Sequence, residues 1–287
     1  MKKRILSYHF WLLGALSFFL NSCNTKHRIW MGEKGEQKIF NLNYGNDKRQ
    51  VMDIFLPEEY NAEKPAVIII HGGAWFYGRK EHMIKLQKLL FQNRIPTINI
   101  NYRLVNRNIT YQQQLEDIKL AIEKFNSLSK KAKLQPNRYI LLGESSGGHL
   151  ALLYGYKNPE QVRKIISLSG PTDFFTKNFT DSFYSKYSVS TIQKMVGDKF
   201  HRTNISEAFK AASPIANVSN VPTLHFQGDQ DVLVNKRQGL ALDSVLTVKN
   251  IPHRFVYMKN TGHAPRFFNH KKRDHIIYPA ILDFIKE

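Results

Sequence analysis

The chain has 287 residues, a formal net charge of +19 and a single cysteine, Cys23. A lone cysteine excludes an intrachain disulfide, and the length suits one large α/β domain. The basic residues are dispersed and accompany no nucleic-acid-binding motif, so we expect no nucleic-acid partner. The positive charge favours an anionic membrane surface or glycan as a partner, or serves only as a solubilising surface.

Residues 1–22 predict a signal peptide. Met1-Lys2-Lys3-Arg4 is a basic start, and Phe10 to Leu20 is an apolar run too short to span a bilayer. Leu20-Asn21-Ser22-Cys23 resembles a bacterial lipobox, which predicts cleavage before Cys23 and lipidation of its thiol; the alternative is an ordinary signal peptide followed by a chance cysteine. We therefore expect an exported, membrane-anchored lipoprotein of the periplasm or outer membrane, with residues 23–37 as its tether.

From residue 38 to the C-terminus, strand-like and helix-like segments alternate. Residues 37–57 are typical of an entry hairpin. Apolar, β-branched runs predict strands at 65–70, 95–100, 139–142, 162–168, 221–226 and 253–258. Helical stretches fall near 79–93, 111–131, 234–249 and 274–286. Such alternation predicts an α/β fold with a mostly parallel, doubly wound sheet flanked by helices.

The strand at 65–70 ends in His71-Gly72-Gly73-Ala74-Trp75. Two glycines at a strand end allow backbone N–H groups to point into a cavity, as the oxyanion hole of an acyl-transfer site requires. A simple loop with Trp75 as a core aromatic is the alternative. We predict that the N–H groups of Gly73 and Ala74 are oxyanion-hole donors.

The strand at 139–142 runs into Gly143-Glu144-Ser145-Ser146-Gly147, a G-x-S-x-G pattern, and then into helix-forming residues. A strand, a tight turn and a helix are the context of a nucleophile elbow, in which glycines leave room for a strained serine. The pattern also occurs in ordinary glycine-rich turns, but the candidate oxyanion turn on an earlier strand favours catalysis. Ser145 is then the nucleophile, and Ser146 provides a third N–H donor.

A serine nucleophile needs a base and an acid that orients it. Asp229 and Asp231 follow the strand at 221–226, and His263 follows the strand at 253–258, where open α/β sheets place their sites. Either aspartate could be the acid on this ground. For three other histidines we expect structural roles: His71 in the glycine turn, His149 in the helix after the elbow and His225 within a strand.

These motifs, in this order, resemble the α/β-hydrolase superfamily and its esterase/lipase branch, which includes hormone-sensitive-lipase-like enzymes and bacterial feruloyl and acetyl-xylan esterases. The likeness runs from about residue 38 to the C-terminus and includes Asn101-Tyr102-Arg103-Leu104 and Gly170-Pro171-Thr172-Asp173. It implies the α/β-hydrolase fold and a triad of Ser145, Asp231 and His263. Asp231 is preferred because related sequences place the acid three residues after Gly228.

The resemblance also implies that residues 174–211 form a small cap over the site. Its aromatic residues either pack the cap onto the sheet or contact substrate; they are Phe174, Phe175, Phe179, Phe183, Tyr184 and Tyr187.

The function implied is that of a serine carboxylesterase acting on small carboxylic esters, such as acetyl or feruloyl groups on carbohydrates, through an acyl-serine. A peptidase or amidase of the same fold is one alternative, and a non-catalytic binding protein is another. We expect no cofactor and no metal, because no metal motif stands out and a serine hydrolase needs none. The expected partners are an ester substrate and, through the lipid anchor, a membrane.

Overall fold

The computed structural model describes residues 28–32, 35–58, 65–131, 138–181 and 185–287. The predicted signal peptide and Cys23 lie outside these residues. The sequence places Arg28–Met31 in the tether. In the structure this segment instead pairs antiparallel with Gln37–Asn43 and adds an edge strand to the sheet. The reason is local: Ile29 packs against the core, so this segment joins the domain.

Within the described residues, nine strands form one sheet. They are β1 (Arg28–Met31), β2 (Gln37–Asn43), β3 (Val51–Leu56), β4 (Ala66–Ile70), β5 (Thr97–Ile100), β6 (Tyr139–Glu144), β7 (Val162–Leu168), β8 (Thr223–Gly228) and β9 (His253–Met258). Their order across the sheet is β1-β2-β3-β5-β4-β6-β7-β8-β9. The first three strands and the β3–β5 pair are antiparallel, and every other pair is parallel. The predicted hairpin and the mostly parallel sheet are confirmed.

Helices connect the parallel strands and cover both faces. They are α1 (Ile84–Gln92), α2 (Tyr111–Lys131), α3 (Ser146–Lys157), α4 (Lys177–Thr180), α5 (Ser185–Val196), α6 (Glu207–Ala211), α7 (Lys236–Val248), α8 (Pro265–Phe268), α9 (His270–Lys272) and α10 (Tyr278–Lys286). The helix predicted over 79–93 starts with a 3₁₀ turn, Lys80–Met83, and the one over 274–286 starts with a π-helical turn, Arg273–Ile277. No helix in the described ranges is long and apolar enough to cross a bilayer.

The central strands are apolar throughout because helices bury them on both sides. In β4 the side chains alternate between two cores: Ile68 and Ile70 lie in the core beneath α2, α3 and α7, whereas Val67 and Ile69 lie in the core beneath α1 and α10. This period-two division is what a strand imposes on consecutive residues. The doubly wound arrangement therefore follows directly from the buried β-branched runs of the sequence.

Residues 174–211 interrupt the alternation with three short helices, α4 to α6. A chain of edge-to-face ring contacts joins Phe174, Phe179, Phe200 and Phe209, with centroids 5.2–6.0 Å apart. Aromatic pairs of this geometry stabilise packing beyond the area they bury. Of the predicted cap aromatics, Phe183 and Tyr184 lie outside the described residues.

Candidate active site

Ser145 lies on the turn between β6 and α3 with φ 54° and ψ −122°, a conformation that L-residues rarely adopt. The turn closes only because glycines flank it: a Cβ on Gly143 would lie 2.0 Å from the Gly147 carbonyl oxygen, and one on Gly147 would lie 2.2 Å from that of Ile70. The predicted reason for the two glycines is confirmed. The strained turn aims the serine side chain at a cavity that it lines.

The structure brings Ser145, His263 and Asp231 into one hydrogen-bonded chain. His263 Nε2 lies 2.8 Å from Ser145 Oγ, and its Nδ1 lies 2.8 Å from Asp231 Oδ2. With Nδ1–H donated to the carboxylate, Nε2 is the acceptor for the serine proton. The arrangement can therefore turn the Ser145 hydroxyl into a nucleophile.

Asp231 is held from its other side as well. Its Oδ1 accepts the backbone N–H groups of Leu233 and Val234 at 2.9 and 2.8 Å, and the side chain is completely buried. Asp229 makes no contact with His263 in the described structure; it accepts the Thr261 N–H at 3.1 Å and supports the turn, as expected. The fold thus distinguishes two carboxylates that stand two residues apart.

The loop after β4 has three successive residues with positive φ: Gly73 at 130°, Ala74 at 50° and Trp75 at 65°. A Cβ on Gly73 would lie 2.2 Å from the Tyr77 carbonyl oxygen, so only glycine fits there. Among the described residues, nothing accepts the N–H of Gly73 or Ala74. Ser146 opens α3, so its N–H has no acceptor within the helix. All three predicted oxyanion-hole donors are therefore free for a ligand.

Buried hydrogen bonds keep this loop in its strained form. Tyr102 Oη donates to the His71 carbonyl at 2.9 Å, and Gln114 Nε2 donates to the Trp75 carbonyl at 3.0 Å. Tyr102 belongs to the Asn101-Tyr102-Arg103-Leu104 segment, so that motif supports the loop. Backbone strain persists only where the surroundings over-determine it, and these bonds do so.

The three other buried histidines have the structural roles that we expected. His149 Nδ1 accepts from Trp75 Nε1 at 3.1 Å, and its Nε2–H donates to the Ala212 carbonyl at 2.8 Å, linking the glycine loop to the end of the cap. Burial lowers the pKa of His149 and of His225 to about 4, and that of His71 to about 3. All three are neutral in the folded protein near pH 7.

These histidines predict acid sensitivity of the fold. Their pKa values lie below the usual 6.5, so between pH 6.5 and about 4 the unfolded chain binds protons that the folded chain excludes. Each should lower the free energy of unfolding by about 1 kcal/mol per pH unit as the pH falls through that range. Urea unfolding at several pH values measures this slope.

His225→Phe provides the matched test. The His225 ring makes no short hydrogen bond, has the Gln227 side chain as a polar neighbour and stacks on Phe255 with ring centroids 5.9 Å apart, so phenylalanine is a tolerable replacement. The variant should show a shallower pH slope, whereas replacing the exposed His201 in the same way should not. An unchanged slope in His225→Phe would contradict the assignment.

An ion pair that sequence reasoning missed joins the elbow to the histidine loop. Arg266 Nη2 and Nε lie 2.6 and 3.1 Å from the two carboxylate oxygens of Glu144, and both side chains are at most 6 % exposed. Glu144 immediately precedes Ser145, and Arg266 follows His263 by three residues. The signal available in the sequence was the acidic residue at the end of a buried strand, since a buried carboxylate requires a partner.

The cavity beside Ser145 and His263 has a volume of about 260 Å³. Phe174, Phe179 and Ile192 from the cap region form much of its apolar wall. None of the described residues that line it is Asp, Glu, Lys or Arg, and the described chain holds no cluster of side chains suited to a metal ion. The cavity therefore suits an uncharged group of modest size.

Comparisons with known proteins agree with this geometry. Residues 52–246 match the BD-FAE family. The chain is 26% identical over 162 residues to the isoprenylcysteine alpha-carbonyl methylesterase ICME of Arabidopsis thaliana, covering 56% of this chain and 36% of that protein. It is 21% identical over 266 residues to the probable methylesterase ICMEL2 of the same plant, covering 82% and 60%. The chain thus spans between about a third and three fifths of these relatives.

Among solved structures, the chain is similar to a truncated carbohydrate esterase from gut microbiota. The TM-score is 0.72 at 23% identity, and the match covers 89% of this chain and 98% of that one. At this identity the likeness bears on the fold alone, and it confirms the expected α/β-hydrolase fold.

Proposed function

This chain belongs to the BD-FAE family, and from that premise we propose that it is a serine carboxylesterase acting on small carboxylic esters, among them acetyl or feruloyl groups on carbohydrates. The observation that carries the proposal is the hydrogen-bonded chain from Asp231 through His263 to Ser145, which ends in a cavity. The names of its relatives, two methylesterases and a carbohydrate esterase, support ester chemistry.

In the proposed mechanism, His263 takes the Ser145 proton as Oγ attacks the ester carbonyl carbon. Asp231 stabilises the imidazolium that forms, and the N–H groups of Gly73, Ala74 and Ser146 stabilise the oxyanion. The tetrahedral intermediate collapses, and the alcohol leaves with the proton from His263. Water, deprotonated by His263, then attacks the acyl-serine and releases the acid. Ser145 regains its proton in that last step, so the cycle closes.

The size and polarity of the cavity predict which acyl groups react. A cavity of about 260 Å³ without charged lining residues accepts an acetyl, butyryl or single-ring acyl group, but a long chain leaves part of its apolar surface in water. We expect kcat/KM for p-nitrophenyl acetate to exceed that for p-nitrophenyl palmitate by at least about tenfold. Spectrophotometric release of p-nitrophenol at substrate concentrations below micelle formation measures the ratio.

The same assay separates the proposal from its alternatives. Methyl ferulate, p-nitrophenyl acetate and an acetylated xylo-oligosaccharide probe the ester class, and p-nitroacetanilide probes amides. A phosphonate inactivator followed by peptide mass spectrometry should modify Ser145. Turnover of the anilide alone would support an amidase, and an unmodified Ser145 together with no turnover would indicate a binding protein.

A further inference from the structure

Exposed apolar side chains are concentrated on the three segments that follow strands β4, β8 and β9, each of which contributes residues to the cavity. Among the described residues, ten large apolar side chains are exposed, and five of them lie on these segments. We call these five the apolar rim: Tyr77, Val232, Leu233, Phe267 and Phe268. Phe268 is 88% exposed and Tyr77 is 73% exposed. Where exposed apolar side chains form a contiguous patch, they mark an interaction site rather than ordinary surface.

Each part of the apolar rim either lines the cavity or lies within a few residues of a residue that does. Val232 and Leu233 line the cavity itself. The N–H of Tyr77 donates to the Gly73 carbonyl at 2.8 Å. Ala74, the next residue after Gly73, also lines the cavity. The N–H groups of Phe267 and Phe268 donate to the carbonyl of Ala264, the residue after His263, at 3.1 and 3.3 Å. Two residues of the rim therefore line the cavity, and the other three belong to the chain segments that carry Ala74 and His263.

Exposed cations accompany the rim on each of the three segments. Arg79 follows Tyr77 by two residues, Lys236 and Arg237 follow Leu233, and Lys271 follows Phe268. None of the four forms an ion pair with another described residue. They are thus available to an external anion.

The acidic residues of these segments offset only part of that charge. Glu81 pairs at 2.7 Å with Lys80, which also pairs with the buried Asp53 at 2.9 Å, and Asp274 pairs with Arg273 at 2.7 Å. The buried Asp231 is oriented towards His263, and Asp229 is half-buried. The exposed charge on these segments is therefore mainly positive.

We infer that the apolar rim and its cations bind an anionic lipid surface, with the cavity opening towards the lipid. At such a surface, apolar and aromatic side chains enter the headgroup region while Lys and Arg contact anionic headgroups. An acidic glycan would use the cations, but it offers no apolar phase for Val232 and Leu233. A protein partner seated on the rim would close the cavity to substrate.

The consequence for the reaction rests on the proposed function: esters dissolved in the lipid interface would reach Ser145 without first entering bulk water. Lipid binding itself does not require Ser145. A loss of ester hydrolysis and a loss of lipid binding can therefore be observed separately.

The test places a fluorescent reporter on the rim of the full-length protein. Phe268→Trp introduces a tryptophan at the rim, and Val248→Trp introduces one at a position that is 81% exposed and outside it. Both are titrated with phosphatidylcholine vesicles, with or without phosphatidylglycerol, that carry brominated acyl chains as quenchers. We expect severalfold stronger quenching and a blue shift for Phe268→Trp with the anionic vesicles, and no change for Val248→Trp.

Because both variants carry the same N-terminal segment, any membrane attachment through it affects them equally. Equal quenching at the two positions, or none at position 268, would overturn the inference. So would equal quenching by neutral vesicles, since the cations would then have no role. Adding Arg79→Glu and Lys271→Glu to Phe268→Trp should abolish the response, whereas Lys286→Glu, also exposed, should not. Competition by polygalacturonate without tryptophan quenching would assign the rim to an acidic glycan instead.

Discussion

Replacing Ser145 with alanine is expected to lower kcat/KM for p-nitrophenyl acetate by at least about a thousandfold. The change removes the atom that would form the acyl-enzyme, whereas binding and oxyanion stabilisation leave only residual hydrolysis. The Ser145 side chain donates to His263 at the site surface, so the variant should fold normally. Steady-state assays of the purified variant measure the change in kcat/KM. A circular dichroism spectrum compared with that of the wild type checks that the variant is folded.

The neighbouring residue supplies the matched control. Ser146→Ala keeps the backbone N–H proposed as an oxyanion donor and removes only a buried hydroxyl whose polar neighbour is Tyr102. We expect this variant to lower kcat by less than about tenfold. If Ser145→Ala kept most of the turnover while Ser146→Ala lost it, the assignment of the nucleophile would be wrong.

Arg266→Met should destabilise the protein by about 3–5 kcal/mol, because it leaves the Glu144 carboxylate buried without its partner. We also expect kcat to fall, because the ion pair joins the segment that carries His263 to Glu144, the residue before Ser145. Urea unfolding gives the stability change, and the ester assay at low temperature gives the activity of the folded fraction.

The double variant Glu144→Leu/Arg266→Met separates the contribution of the ion pair to stability from its contribution to kcat. Replacing both members of a buried pair with apolar residues is often near neutral for stability, so the double variant should unfold at a higher urea concentration than Arg266→Met alone. Its kcat should stay low, because the connection between the two loops is lost in both. Equal urea midpoints for wild type and Arg266→Met would show that the pair does not hold the fold together.

Local patterns in the sequence were enough to place most of the scaffold. The strands at 162–168 and 253–258 and the helix at 111–131 have the predicted bounds, since period-two and period-3.6 patterns are properties of consecutive residues. The strand predicted at 139–142 extends to Glu144, because Gly143 and Glu144 still pair with β7 although neither is typical of a strand. The export signal and the lipidation of Cys23 stay predictions of the sequence.

The sequence by itself also determined the candidates for the site, because each follows a strand and the carboxyl ends of parallel strands meet at one edge. Only the tertiary structure decided which of them touch. Asp231 contacts His263 because the turn after β8 directs its carboxylate inward, where two backbone N–H groups hold it. Glu144 and Arg266 stand 122 residues apart, and no local pattern encodes a contact between side chains that distant along the chain.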